Sequence, residues 1–206
     1  MIRTTVYPQP PMCEQRRAPG APASGQRGVT LFELVIVMLI IAILAGIGIP
    51  TYQYVTTSSR MSAELNALLG DLQYARSEAV RQGQAVSVCI ADQTTSPYSC
   101  ASSGSENWDQ GWLVFSDVGG TKNYDSGAGD EILRVQSAFS SGDTFTDADG
   151  VNAVSFNRDG FANLGVSQLT LTLKDKSADA QYTRCLYLSQ SGMMTTAMHS
   201  TDANCT

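Results

Sequence analysis

Residues 29 to 49, VTLFELVIVMLIIAILAGIGI, form a nearly continuous apolar run broken by a single charge, Glu33. As a helix rising 1.5 Å per residue the run reaches roughly 31 Å, close to the ~30 Å hydrocarbon thickness of a bilayer. It predicts a membrane-spanning helix. The 206 residues, 43% hydrophobic and 16% charged, can bury one sizeable core, so one folded domain is expected beside the span.

Glu33 is out of place in an ordinary stop-transfer helix, because a carboxylate in hydrocarbon normally faces a group that neutralises it. One such group is the α-amino group that a cut after Gly28 would create. The other reading is a single-pass anchor whose Glu33, one turn from the helix start, reaches out to the interface. Residues 1–28 are different material: five of the seven prolines, Arg3, Arg16, Arg17 and Arg27, and no sustained apolar periodicity. They read as a processed leader, with Met1 or Met12 as the start. Losing them removes those four arginines and Glu14, which takes the net charge from −6 to −9. That balance disfavours non-specific adhesion to nucleic acid or anionic headgroups.

Cys13 falls in the leader, and the remainder keeps an even four, Cys89, Cys100, Cys185 and Cys205, which implies an oxidising compartment. Four cysteines allow three connectivities, and Cys89 with Cys100 and Cys185 with Cys205 close the shortest loops. A zinc site is disfavoured: no C-x-x-C occurs, and the one histidine, His199, has no metal-ligand spacing with any cysteine.

The stretch RGVTLFELVIVMLIIAILAGIGIP resembles the type III (prepilin) signal, in which a basic leader ends in Gly before a hydrophobic helix with Glu at mature position five. Val29 stands where the family usually has Phe or Met. The resemblance implies that a prepilin peptidase cleaves between Gly28 and Val29 and N-methylates Val29. It further implies that Glu33 pairs with the N-terminal amine of a neighbouring subunit. The chain would sit in the bacterial inner membrane with a periplasmic head, then pass into a pilus or pseudopilus fibre. The implied partners are other minor and major pilins, the peptidase, the inner-membrane assembly platform and membrane lipid.

Beyond the span, Pro50 interrupts the helical pattern and predicts a local kink. Leu65, Leu68, Leu69, Leu72, Ala75 and Ala79 then form an i, i+3, i+4, i+7 stripe, with Glu64, Asp71, Gln73, Arg76 and Glu78 largely on other faces. Gly83 ends it. Alternation takes over at 85–91, 111–117, 131–139, 153–157, 169–174 and 184–189, predicting six or seven antiparallel strands. The segments TTSPYSCASSGSEN and SGDTFTDADG read as turns and surface loops. The expected fold class is α+β: a long N-terminal helix, half transmembrane and half amphipathic, packed on an antiparallel β-sheet head. The expected organisation is a leader over 1–28, an assembly helix over 29–56 and a head over 57–206.

The head resembles the GspH/FimT (FimU-type) pilin domain through four ordered blocks, LNALLGDLQYARSEAVRQGQAVSVCI, QGWLVFSD, AVSFNRDGFA and RCLYLSQSG. Arg76 and Glu78 are read as helix-surface charges, Trp112 and Phe115 as packing residues, and Trp108 as the freer, loop-borne aromatic. FimT-type members that bind DNA do so through a C-terminal G-R-x-R stretch; here the matching residues are Gly192, Met193, Met194 and Thr195, and neither arginine is present. A substitute patch would have to come from Lys174, Lys176 and Arg184, diluted by Asp175 and Asp179, so DNA is disfavoured as a partner.

No nucleophile elbow, P-loop or zinc-protease motif occurs, and no enzyme activity, metal or cofactor is expected. The DADGVN segment at 147–152 lacks the ligands of a calcium loop and reads as an acidic turn. The reading favoured by these residues is a minor pilin that primes or caps a type IV pilus. A pseudopilin of a type II secretion system is the alternative, and a DNA-receptor pilin is third.

Overall fold

The computed structural model describes residues 28–92, 98–102, 107–202 and Cys205. Residues 1–27 of the expected leader, with Met12 and Cys13, lie outside the described residues. The chain divides into two compact units, Met1–Gly46 and Ile47–Thr206. Helix α1, Leu31–Gln82, opens in the first unit and closes in the second.

The helix starts where Thr30 caps it: the Glu33 amide donates to Thr30 Oγ1 at 3.2 Å and the Leu34 amide to the Thr30 carbonyl at 3.2 Å. Helical structure is continuous through Pro50, where a local kink within the long helix was expected. Proline lacks the amide that would bond back one turn, but Thr51 Oγ1 donates to the Ile47 carbonyl at 3.0 Å at the same turn. The C-terminus is closed by Gly83, whose φ of 70° is the left-handed conformation glycine tolerates, with its amide on the Ala79 carbonyl at 3.0 Å.

In the second unit the predicted stripe is the buried face of α1: Leu65, Leu68, Leu72, Ala75 and Ala79 are buried, joined by Met61, while Leu69 is half-buried. Glu78 departs from the expected outer faces. It is buried, with its carboxylate held by Arg81 and by Gln82 Nε2.

Among the described residues ten strands follow: β1 (Val86–Asp92), β2 (Ser99–Cys100), β3 (Gly111–Ser116), β4 (Glu131–Ser137), β5 (Thr144–Asp147), β6 (Ala153–Phe156), β7 (Ala162–Asn163), β8 (Gln168–Lys174), β9 (Arg184–Ser189) and β10 (Met194–Met198). They form two antiparallel sheets where one was anticipated: β4-β3-β1-β6-β7 with β2 paired to β1, and β10-β9-β8-β5. Strands β1, β3 and β6 of the first sheet are buried on both faces, while the edge strand β4 is largely exposed. Val86, Val88, Ile90, Trp112 and Val114 join the core that contains the α1 stripe. The opposite face carries Cys89, Ala91, Leu113, Phe115 and Ala153, covered by Cys100 and Tyr124. Period-2 alternation places those two sets on opposite sides of one sheet.

Cys89 is bonded to Cys100, and Cys185 to Cys205, each across a Cα–Cα distance of 5.6 Å. The first bond fixes the segment that lids the outer face of the first sheet. The second ties the C-terminal segment to β9, where Tyr187 Oη also donates to Asp202 Oδ2 at 2.9 Å. The Cys185–Cys205 bond spans a sequence separation of 20. By loop entropy, replacing both cysteines with serine should lower the unfolding free energy by about 3 kcal/mol. Urea titration of the full chain in detergent, without reductant, measures this loss.

Trp108 is not the free aromatic that its loop position suggested. It is fully buried in a short 3-10 turn, Trp108–Gln110, and its indole donates to the Val151 carbonyl at 3.1 Å. The 147–152 segment is an acidic turn built on Asp147 Oδ2, which accepts the Asp149 and Val151 amides at 3.1 and 2.7 Å.

Candidate assembly segment and head surface

In the first unit every described residue is solvent-facing, so α1 presents Leu31, Phe32, Leu34, Val35 and the apolar residues that follow with no intrachain cover. The helix is long and apolar enough to cross a membrane. Glu33 lies in its first turn, three residues after the capping Thr30. Among the described residues none pairs with the Glu33 carboxylate. Gly28 and Val29 are exposed just ahead of the cap.

On the head, the segment in place of the G-R-x-R stretch is locked by Arg76. Its guanidinium donates from Nε to the Gly160 carbonyl at 2.9 Å, from Nη1 to the Gly192 carbonyl at 3.0 Å and from Nη2 to the Ser191 carbonyl at 3.4 Å. Gly160 and Gly192 have φ of 79° and 76°. A Cβ on Gly192 would come within 2.4 Å of the Gly160 carbonyl oxygen. Arg76, read from sequence as a surface charge, is therefore the clasp between α1 and two glycine turns. Met193 stays exposed at the tip of the β9–β10 hairpin.

The substitute basic patch does not assemble around Arg184. That side chain is 5% exposed, with Nη2 on Ser58 Oγ at 3.0 Å and Nη1 on the Gln181 and Thr183 carbonyls at 3.4 Å. Lys174 is half-buried and only Lys176 of the three is exposed. A phosphate backbone needs several accessible cations, and these three residues offer one.

Two polar clusters were not legible in the sequence. Asp71 accepts from the Trp112 indole at 2.8 Å and from Arg134 Nη1 at 2.9 Å, while Arg134 stacks 3.7 Å over the Tyr74 ring. This joins α1 to β3 and β4. Nearer the start of the head, Arg60 grips buried Asp143 through Nε at 2.7 Å and Nη2 at 2.9 Å. Glu64 accepts from Ser141 Oγ at 2.9 Å, and its other oxygen is buried with no hydrogen-bond donor among the described residues. Burial, with the Asp143 charge alongside and against the Ser141 hydrogen bond, pushes Glu64 from its ordinary 4.5 up to about 7.

A carboxyl raised in the folded state stabilises folding when protonated, so its contribution is full below pH 4.5 and is lost as pH rises towards 7. Discounted for partial solvent screening, the expected fall in unfolding free energy across that window is about 1–2 kcal/mol. Glu64→Gln should flatten this slope and raise stability at pH 7, which urea titrations at a series of pH values resolve.

A family model described as Type II transport protein GspH matches residues 64–192, and one for the prokaryotic N-terminal methylation motif matches residues 23–49. No curated protein matches the chain. Among solved structures, the type IV minor pilin FimU of Pseudomonas aeruginosa strain PAO1 has a TM-score of 0.52 at 21% identity, covering 72% of this chain and 94% of that one. A second crystal form of FimU gives 0.48 at 22% identity over 69% and 94%. At 21% identity the first likeness shows a shared fold, the long N-terminal helix with an antiparallel head seen here. With well over half of its length matched by that family model, the chain belongs to the GspH family of pilin-type structural proteins, which are not enzymes, and carries a prepilin methylation motif.

Proposed function

We propose that this chain is a minor pilin of a type IV pilus, a low-abundance subunit at or near the tip that primes or caps filament assembly. The observation that carries the reading is the first unit of α1: an uncovered apolar helix with one carboxylate in its opening turn and no intrachain partner for it among the described residues. Such a segment is stable in lipid or inside a bundle of like helices, and the buried carboxylate is best neutralised by a cationic group brought by a neighbour. The N-terminal amine of an adjacent subunit, released by prepilin peptidase between Gly28 and Val29, supplies that charge.

The molecule would be held in the inner membrane with its disulfide-bonded head in the periplasm, and would then move onto the filament through the assembly platform, beside other pilins. FimU, whose fold this chain shares, is a type IV minor pilin, which favours a pilus. The match to Type II transport protein GspH favours the second reading, a pseudopilin of a type II secretion system. Surface pili sheared from a clean deletion strain, compared with the complemented strain, separate the two. Loss restored by the gene supports the pilus reading. Intact pili with a secretion defect move the chain to the pseudopilus.

A further inference from the structure

The end strands of the two sheets are β4, β7, β10 and β5. A strand edge presents unpaired amides and carbonyls, and a head that stands alone guards such edges with charge, bulges, short strands or a covering loop. Three of the four are guarded. Strand β4 carries Glu131 and Arg134 and meets β3 across a register shift between Val114 and Phe115. Strand β7 is two residues long, with the Ala162 amide taken by the Gln190 carbonyl at 2.9 Å. Strand β5 is covered by a bridge from Asn107 to Thr146 and by Asp109 Oδ1, which accepts the Phe145 amide at 3.2 Å.

Strand β10 has none of these guards. No charge or proline occurs from Met193 to Met198, and its register with β9 runs unbroken from Met194 to Met198. The Ser189 amide donates to the Met193 carbonyl at 3.0 Å and the His199 amide to the Thr183 carbonyl at 3.2 Å. These two bonds fix the phase of the ladder: Thr195 and Ala197 turn their amides and carbonyls towards β9, and Met194, Thr196 and Met198 turn theirs away. Those of Met198 are spent locally, the amide on Thr201 Oγ1 at 3.4 Å and the carbonyl on the Thr201 and Asp202 amides at 2.9 and 3.0 Å. Met194 and Thr196 are left, and among the described residues nothing meets their two amides and two carbonyls. Exposed Met193 and Met198 flank them, flexible apolar side chains that can adapt to a partner.

We propose that the open side of β10 is a strand-addition site, which receives an extended, uncharged segment from the head of a neighbouring, different pilin in the filament. The inference rests on the pilin reading above and names the head surface through which a neighbour is held. Four main-chain groups repeating every second residue select an extended backbone, and an uncharged strand is matched by an uncharged one. A second copy of this chain is the poorer occupant, because each copy carries a net charge of −6 and two copies repel. Charge complementarity therefore favours a less acidic subunit.

Two variants test the site in a strain that lacks the native gene. Thr196→Pro removes an outward N–H and none of the bonds to β9, the setting in which an edge strand tolerates proline. Thr196→Lys keeps the backbone and places a charge on the edge, so it carries the test if proline unfolds the head. Each variant should fall roughly tenfold in sheared filaments while its amount in the membrane fraction is unchanged. The lysine variant, purified as the full chain in detergent, should keep the native Tm. With a photoreactive benzophenone amino acid replacing Thr195, irradiated filaments should yield an adduct with a different pilin, identified by mass spectrometry. Native amounts of the lysine variant in filaments would overturn the strand-addition site, and an adduct with a second copy alone would overturn the choice of partner; both leave the pilin reading standing. Absence of the native chain itself from sheared filaments would overturn that reading together with the site.

Discussion

Glu33→Ala is expected to reduce the amount of this chain in sheared filaments by roughly tenfold or more, with cleavage after Gly28 unchanged. Alanine costs less than a carboxylate to hold in hydrocarbon, so the variant should reside in the membrane at least as well as the native chain. A loss of incorporation would therefore report a missing partner interaction and not poor insertion. Tenfold corresponds to about 1.4 kcal/mol, less than the ~3–5 kcal/mol that removing one member of a desolvated ion pair costs, so tenfold is a lower bound. Glu33→Gln separates charge from packing: it keeps the volume and loses the charge, and should behave like alanine. Immunoblots of sheared and membrane fractions provide the measurement. Normal incorporation of both variants, with normal processing, would rule out pairing between the carboxylate and a neighbour's amine.

Gly192→Ala should be the most damaging small substitution in the head. The left-handed φ of 76° alone penalises a Cβ by about 1–2 kcal/mol. The new atom would also sit 2.4 Å from the Gly160 oxygen and 2.9 Å from Arg76 Nε. Because Arg76 holds both turns by their carbonyls, relief requires breaking charge-assisted hydrogen bonds. The combined loss should be about 3 kcal/mol, a fall of roughly 6–12 °C in Tm. Gly165 supplies the control, since its φ is 82° but nothing lies within 4 Å of its added Cβ. Gly165→Ala should show the conformational penalty alone. If calorimetry finds the two variants equally destabilised, the clasp is not what makes Gly192 necessary.

What could be read in advance follows from how local each signal is. The α1 stripe was legible because one-sided burial imposes a 3.6-residue period on Leu65, Leu68, Leu72, Ala75 and Ala79. The prepilin segment was legible because its chemistry is contiguous in the chain. Strand β5 was hidden inside a Ser- and Asp-rich stretch, where Phe145 is the single large apolar side chain to betray it. Strand β10 is largely exposed and uncharged, so it carries no alternation to detect. Trp108 was misplaced because its anchor is a carbonyl 43 residues away. The Arg76 clasp was invisible for a related reason: its acceptors are backbone oxygens in two distant turns, and no residue type marks a carbonyl as an acceptor.

The bond between the Trp112 indole and Asp71 gives the head an optical readout. Trp112 emits from the seam where α1 lies on the first sheet, whereas Trp108 emits from a site bonded to the Val151 carbonyl. Asp71→Asn preserves a hydrogen-bond acceptor but removes a full negative charge from beside one indole and leaves the other alone. The spectral difference between native chain and variant thus isolates one fluorophore, so the docking of helix onto sheet can be followed in time without attaching a dye.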